Sequence, residues 1–213
     1  MNLRSDSFVP YQHIPVRYAL GQHDSESRFA FSENVNPHLA WSGAPDGTQS
    51  FAVICVDEDV PSVGDDVNQV GHSVDVWLPR APFFHWVLAN LPAGVQEIEE
   101  GAHSSGVTQG GKSQSTTSLQ GGVSGINDYT NWFAGDATMG GDWFGYDGPA
   151  PPWNDERIHG YRFQVFALDV PTLDLPERFN GATLRQAMQG HVLASAELVG
   201  LYAINPDASG LDR

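Results

Sequence analysis

Three short apolar segments constrain this chain most, because each is rich in β-branched or aromatic residues and is bounded by Pro, Gly or Asp. They are Ser50–Val56, Phe83–Leu91 and Tyr161–Leu168. Segments of this length and composition are typical of buried strands. The polar segments between them, Ser62–Pro82 and Gly101–Pro152, are too long for simple hairpin turns, and loops of that length are usually functional or mobile. The sequence therefore predicts a mainly β fold with long loops.

One stretch near the C-terminus has a helical pattern. Thr183 and Gln186 fit a capping box, and the apolar residues that follow keep one face. We therefore predict a helix over Thr183–Val199, with a break or a second short helix at Gly190.

The size of the chain favours a single domain over residues 1–213. A chain of 213 residues with 40% hydrophobic and 17% charged residues is typical of a globular protein with one core. No window approaches the ~20 apolar residues of a membrane-spanning helix, and the first residues lack the apolar run of a secretory signal. We expect a cytoplasmic protein without a transmembrane segment.

The charge of the chain is strongly acidic, with 26 Asp and Glu against 10 Lys and Arg, a formal net charge of −16. Such a surface repels phosphate backbones, so we expect no nucleic-acid partner. Cys55 is the single cysteine and lies in an apolar run. It excludes an internal disulfide and a cysteine zinc cluster, and we predict a buried structural thiol.

The familiar catalytic motifs do not apply to this chain. Residues Gly106–Ser113 match the letters of a phosphate-binding P-loop, but that loop requires a buried strand before it and a helix after it. The flanking residues are polar, so we interpret the segment as a flexible loop. No Gly-x-Ser-x-Gly elbow and no His-Glu-x-x-His zinc motif occurs. We predict no enzymatic activity, no catalytic residue, no bound metal and no cofactor.

Polar residues accompany each of the three predicted strands. Two carboxylates directly follow the first strand, a histidine lies within the second, and a histidine and a tyrosine open the third. They are Asp57, Asp59, His85, His159 and Tyr161, and a Gly-Pro-rich loop, Gly148–Pro152, precedes the last two. Each has an ordinary structural explanation when taken alone, as a turn former, a loop shaper or a satisfied core residue.

The order of these motifs is more specific than any one of them. Asp-x-Asp-x-Pro-Ser, His-Trp-Val, and Gly-Pro-x-Pro-Pro followed by His-x-Tyr occur in sequence, with Asn36–Trp41 and Asn127–Tyr129 as supporting segments. This arrangement resembles the phosphatidylethanolamine-binding protein family, in particular its bacterial Raf kinase inhibitor-like branch, from Phe29 to Tyr202. The resemblance implies an antiparallel β-sandwich with a C-terminal helical element and a core of about residues 29–202.

The same resemblance implies a small anion pocket at one end of the sandwich. Its residues would be Asp57, Asp59, His85, His159 and Tyr161, with the Gly148–Pro152 loop as a wall. Two positions depart from the family pattern. Gly160 stands where members commonly carry Arg, and Ala150 stands where bacterial members often carry Cys. The segments Ser62–Pro82 and Thr130–Trp143 are also longer than in minimal members.

The chemistry of these residues suits a phosphate group, because two histidines and a tyrosine hydroxyl can supply three donors. The carboxylates would orient a histidine and favour its protonated form. We expect binding of phosphate or a phosphomonoester headgroup with a dissociation constant of about millimolar to micromolar. Binding should be tighter at pH 6 than at pH 8.

Three functions compete at this stage. The leading hypothesis is a binding protein for a small anion or phospholipid headgroup, with modulation of an unknown protein partner as an extension. The first alternative is a metal- or acid/base-dependent hydrolase that uses the same pocket. The second is a protein-interaction module with a vestigial pocket and long loops that contact a partner. A homodimer is consistent with the general frequency of dimers.

Overall fold

The computed structural model describes residues 1–209, which form a sandwich of antiparallel strands with three short helices. The predicted domain boundary at 213 falls on residues 210–213, outside the described residues. The strands are β1 (Asn2–Arg4), β2 (Gly21–Gln22), β3 (Ala30–Phe31), β4 (Leu39–Ser42), β5 (Ser50–Pro61), β6 (Arg80–Pro92), β7 (Glu97–Ile98), β8 (Val123–Ser124), β9 (His159–Leu168) and β10 (Val192–Tyr202). The α-helices are α1 (Gln114–Thr117), α2 (Tyr129–Trp132) and α3 (Gly181–Ala187).

The main sheet has five strands in the order β10–β9–β5–β6–β8, all antiparallel to their neighbours. Successive side chains of a strand point to opposite faces, and β5 buries both. Phe51, Val53 and Cys55 belong to the core shared with the smaller β1–β4–β7 sheet, whereas Ala52 and Ile54 pack in the cluster that includes α3. The predicted mainly β, antiparallel fold is confirmed, and Cys55 is buried as predicted.

The three predicted strands are confirmed, and each is longer than its apolar segment. β5 continues to Pro61 because Val60 and Pro61 still pair with Ala81 and Arg80 of β6. The sequence suggested that Asp57 and Asp59 follow the strand in a turn. Both instead lie within the strand.

The prediction of a helix over Thr183–Val199 is wrong in its second half. The helix α3 covers only Gly181–Ala187, and its N-cap is Asn180, whose side chain accepts the N–H of Thr183. Val192–Tyr202 forms β10, which pairs with β9 from Val192 opposite Leu168 to Tyr202 opposite His159. The turn between them uses Gly190 in the left-handed region, at φ +83°.

The two long loops are ordered by contacts with the rest of the chain. The Gly101–Pro152 segment contains α1, β8 and α2. The β5–β6 loop is held by Asn154, whose amide donates to the carbonyls of Asp66 and His72. Asn154 also accepts the N–H of Asn68. Within residues 1–209 no helix has both the length and the apolar character needed to cross a membrane.

Candidate functional site

A cavity of about 400 Å³ opens at the end of the main sheet where β5, β6 and β9 carry their polar residues. Of the residues predicted from the sequence, Asp57, His85, Pro152 and Tyr161 line this cavity. Asp59, Gly148 and His159 do not line it; they lie behind it and support the residues that do.

Strand register brings the lining residues together. Asp57 of β5 is directly opposite Tyr161 of β9 on one side and Phe83 of β6 on the other. Between the pairs Cys55–Trp86 and Val56–Phe84 the register shifts, and His85 is the extra residue on β6. Such bulges re-aim a side chain, and the His85 ring lies 5.1 Å from that of Tyr161.

His85 presents an unpaired nitrogen to the cavity. Its Nδ1 lies 2.8 Å from the carbonyl oxygen of Asp147, which can only accept, so Nδ1 carries the hydrogen. Burial lowers the pKa of His85, although the charge of Asp57 acts in the opposite direction. The imidazole is therefore neutral at pH 7, and Nε2, which is buried and makes no hydrogen bond to the described residues, is an acceptor.

Tyr161 supplies the complementary group. Its hydroxyl is buried and makes no hydrogen bond of good geometry within residues 1–209. Burial and then the charge of Asp57 raise the pKa of Tyr161 well above its usual value, so the hydroxyl keeps its proton. Asp57 also acts on this hydroxyl through a side-chain hydrogen bond that raises its pKa, although its geometry is too poor to satisfy the hydroxyl. Among the described residues, the base of the cavity thus offers one acceptor without a partner and one donor that only the already engaged Asp57 carboxylate approaches.

Both ring nitrogens of His159 are engaged by carboxylates, so His159 offers no free nitrogen to the cavity. Its Nδ1 lies 2.7 Å from Asp57 Oδ2 and its Nε2 lies 3.1 Å from Asp155 Oδ2. Burial acts to lower the pKa of His159, but the two carboxylates raise it to about 9. At neutral pH a cationic His159 therefore sits between two anionic aspartates.

Asp57 lines the cavity but both of its oxygens are engaged. Oδ2 meets His159, and Oδ1 accepts the backbone N–H of Asp59 at 2.7 Å. Burial opposes ionisation, yet the His159 cation and this hydrogen bond hold the pKa of Asp57 below its usual value. Its negative charge is thus balanced by a neighbour and is not free to coordinate a ligand.

Two arginines that the sequence analysis missed hold the outer carboxylates. Arg80 makes a two-pronged contact with Asp155, at 2.5 and 3.1 Å, and donates to the carbonyl oxygen of Asp59. Arg157 lies 3.1 Å from Asp59 Oδ1. Gly160, where the family pattern has Arg, donates its backbone N–H to Asp59 Oδ2. The sequence points to these two arginines only indirectly. Gly160 replaces the Arg of the family pattern, so the buried carboxylates need a cation from another part of the chain.

Gly148 shapes the proline-rich wall through its backbone. Its N–H donates to Asn34 Oδ1 and its carbonyl accepts the hydroxyl of Tyr129 at 2.8 Å. A Cβ atom at this position would lie 2.0 Å from the carbonyl oxygen of Tyr18, so only glycine fits. The wall that follows it comprises Ala150, Pro151 and Pro152, which all line the cavity.

The residue before this wall, Asp147, is the other buried anion near His85. It contacts Nζ of Lys112 at 2.5 Å and the amides of Asn34 and Asn127. Lys112 therefore pairs with a buried carboxylate. Among residues 1–209 no group of three or more His, Cys, Asp or Glu side chains is arranged to hold a metal ion.

Comparison with known proteins identifies the fold and the family. A sequence profile described as phosphatidylethanolamine-binding protein matches residues 4–203. A UPF0098 protein of Methanothermobacter thermautotrophicus is 32% identical over 95% of this chain and 98% of its own length. Escherichia coli YbhB, another UPF0098 protein, is 31% identical over 80% of this chain and 83% of its own length.

Two solved structures share the fold. The crystal structure of E. coli YbcL, described as a member of the mammalian PEBP family, superposes with a TM-score of 0.68 at 25% identity and covers 96% of this chain and 98% of its own. The Chlamydia trachomatis protein CT736 gives 0.61 at 26% identity, covering 94% and 95%. Since the profile spans nearly the whole chain and the relatives cover it end to end, this chain belongs to the phosphatidylethanolamine-binding protein family.

Proposed function

We propose that this protein binds a phosphate or phosphomonoester in the cavity, with the phosphoryl oxygens on His85 and Tyr161. The observation that carries the proposal is that His85 Nε2 and the Tyr161 hydroxyl are buried, unpaired within the described residues and on the lining of one cavity. Buried polar groups without partners cost free energy. A ligand that pairs both groups recovers that cost.

The pairing requires one proton to be shared between ligand and protein. Tyr161 donates, but neutral His85 accepts, so a phosphate dianion would face a lone pair and the nearby charge of Asp57. A monoanion brings the missing proton, and its P–O–H group donates a hydrogen bond to His85 Nε2. Because the second pKa of a phosphomonoester is about 6, affinity should decline as the pH rises above that value.

The hydrolase alternative has less support in this geometry. None of the described residues that line the cavity is Ser, Thr or Cys. His85 Nε2 remains available as a base, but Asp57, the carboxylate on the lining, has both oxygens engaged, so no second free acid or base accompanies His85 on the described lining.

Calorimetric titration with inorganic phosphate at low salt tests the proposal. We expect a dissociation constant between about micromolar and millimolar at pH 6. Because the second pKa of inorganic phosphate is about 7, affinity should approach a tenfold loss for each pH unit above that value. Tyr161→Phe removes one hydrogen bond to a charged ligand and should weaken binding by about 10- to 100-fold. His85→Gln should remove most of the pH dependence.

His103→Gln is the matched control, because His103 is also buried with an unpaired Nε2 but does not line the cavity. It should bind phosphate like the wild type. Binding that is flat between pH 6 and pH 8, or that survives both cavity substitutions unchanged, would contradict the proposal.

A further inference from the structure

The geometry points to a phosphomonoester with a compact apolar substituent as the preferred ligand, and this inference rests on the proposed phosphate site at His85 and Tyr161. A phosphate group fills only part of the cavity. Its volume of about 400 Å³ equals that of roughly thirteen water molecules at about 30 Å³ each. Apart from Asp57, His85, Tyr161 and Asn68, the side chains that line the cavity are apolar or aromatic, so the remaining space is available to an organic group.

The upper part of this cavity is walled by aromatic rings. They are Phe29, Phe31, Phe83, Tyr129, Trp132 and Phe133. The rings brace one another, with Phe83 edge-on to Tyr129 at 5.0 Å and Phe29 edge-on to Phe31 at 5.3 Å, while Tyr129 and Phe133 stack at 5.7 Å. A wall of braced rings is a preformed apolar surface.

Two long connecting segments contribute part of this subsite. Trp132 and Phe133 come from the segment after Tyr129, and Gly64, Val67 and Asn68 come from the β5–β6 loop. Asn68 is fixed from both sides, because its N–H donates to Asn154 Oδ1 and its side-chain oxygen accepts the N–H of Trp153. The subsite is therefore a built feature of this chain.

The described part of the subsite offers no cationic side chain to pair a second anionic group on the ligand. No Lys or Arg is among the described residues that line the cavity. The rim side chains Phe31 and Trp132 are 45% and 51% exposed, so they are partly uncovered apolar surface next to the opening. An apolar group that covers them gains affinity by removing that surface from water.

Competition at pH 5, where the phosphate groups of all four compounds are mainly monoanionic, tests the inference with inorganic phosphate, phosphoethanolamine, cyclohexyl phosphate and phenyl phosphate. We expect the two apolar esters to bind about 10- to 100-fold more tightly than inorganic phosphate. Phosphoethanolamine has an ammonium group that loses hydration in an apolar subsite, so it should gain less than the apolar esters. An equal gain would show that the rings act on a cation and would overturn the inference. The ratio of the affinities for phenyl and cyclohexyl phosphate shows whether contacts between aromatic rings add to the effect of apolar burial.

Trp132→Ala should remove most of the preference for apolar esters and leave the affinity for inorganic phosphate within about twofold. Trp77→Ala is the control, because Trp77 is 76% exposed but does not line the cavity. Equal affinity for inorganic phosphate and both apolar esters, or an unchanged preference in Trp132→Ala, overturns this inference alone. Failure of all four compounds to bind overturns the proposed phosphate site as well.

Discussion

The Asp147 carboxylate is completely buried, and Lys112 is the cation that compensates it at 2.5 Å. Burial raises the pKa of Asp147, and the ammonium group of Lys112 counteracts that rise. Asp147 also fixes His85, because the Nδ1 of His85 donates to the Asp147 carbonyl. One buried ion pair therefore supports the proton arrangement of the cavity base.

Lys112→Met should lower the free energy of unfolding by about 3–5 kcal/mol, because it leaves a buried carboxylate without its cation. The loss should shrink at acid pH, where Asp147 takes up a proton. Adding Asp147→Asn should restore part of the stability. Urea unfolding measures all three variants.

Arg178→Met is the control for Lys112→Met, since it breaks an ion pair with Asp142 in which both side chains are about half exposed. Exposed pairs contribute about 0–1 kcal/mol. If Lys112→Met were no more destabilising than Arg178→Met, Lys112 would not be the partner that keeps Asp147 ionised.

Among the elements, β10 shows where local sequence patterns stop being informative. Leu184, Ala187, Met188, His191 and Val192 fit a helical face in sequence, yet the chain from Val192 pairs with β9 along its whole length. A helix would leave that edge of β9 unpaired, so the long-range ladder outweighs local propensity. β5, β6 and β9 could be predicted because they are buried on both faces and read as continuous apolar runs.

Within the candidate site, too, some residues could be predicted from the local sequence and others could not. Asp57, His85 and Tyr161 could be found because they lie on predictable strands and in motifs of a recognisable order. Arg80 and Arg157 could not, because they reach their carboxylates only after the β5–β6 loop and the Pro-rich loop have closed over the sheet. Local sequence also gave no indication that both nitrogens of His159 are occupied by aspartates.

At the start of β6, Arg80 joins the β5–β6 loop to the Pro-rich loop through Asp155, and both side chains are nearly inaccessible to solvent. Arg80→Lys keeps the charge but loses the two-pronged contact, and Arg80→Met loses both. In urea unfolding, we expect the free energy of unfolding to fall by about 1–2 kcal/mol in Arg80→Lys and by about 3–5 kcal/mol in Arg80→Met. Faster amide exchange between residues 66 and 74 should accompany them.

Arg162→Met provides the comparison for Arg80, since Arg162 is a partly exposed arginine of β9 that contacts Glu58 and Glu197. Arg162→Met should lower the free energy of unfolding by less than about 1 kcal/mol. Equal effects of Arg80→Met and Arg162→Met would show that the Arg80–Asp155 contact does not hold the two loops together.

For the molecule as a whole, the acidic excess lies on the surface. The four buried aspartates each have a cationic neighbour: His159 for Asp57, Arg157 for Asp59, Lys112 for Asp147, and Arg80 for Asp155. The net charge of −16 therefore arises from exposed groups, whose mutual repulsion salt can screen.

His159 should make the folded protein less stable as the pH rises into the alkaline range. Its pKa is about 9 in the folded chain and about 6.5 when unfolded, so its contribution is complete below about pH 6.5 and is lost as the pH rises through 9. The pKa difference corresponds to about 3 kcal/mol. Urea unfolding should show a loss of that order between pH 6.5 and pH 10.

The measurement belongs in about 0.5 M salt, because at low salt the repulsion among surface acids would add its own pH dependence. His159→Gln should be less stable than the wild type at pH 6.5 but lose little more by pH 10. An NMR titration of the wild-type imidazole carbons reports the same group without a substitution. A His159 midpoint near 6.5, with flat alkaline stability, would mean that Asp57 and Asp155 do not hold a proton on His159, and the charge balance behind the cavity would have to be reassigned.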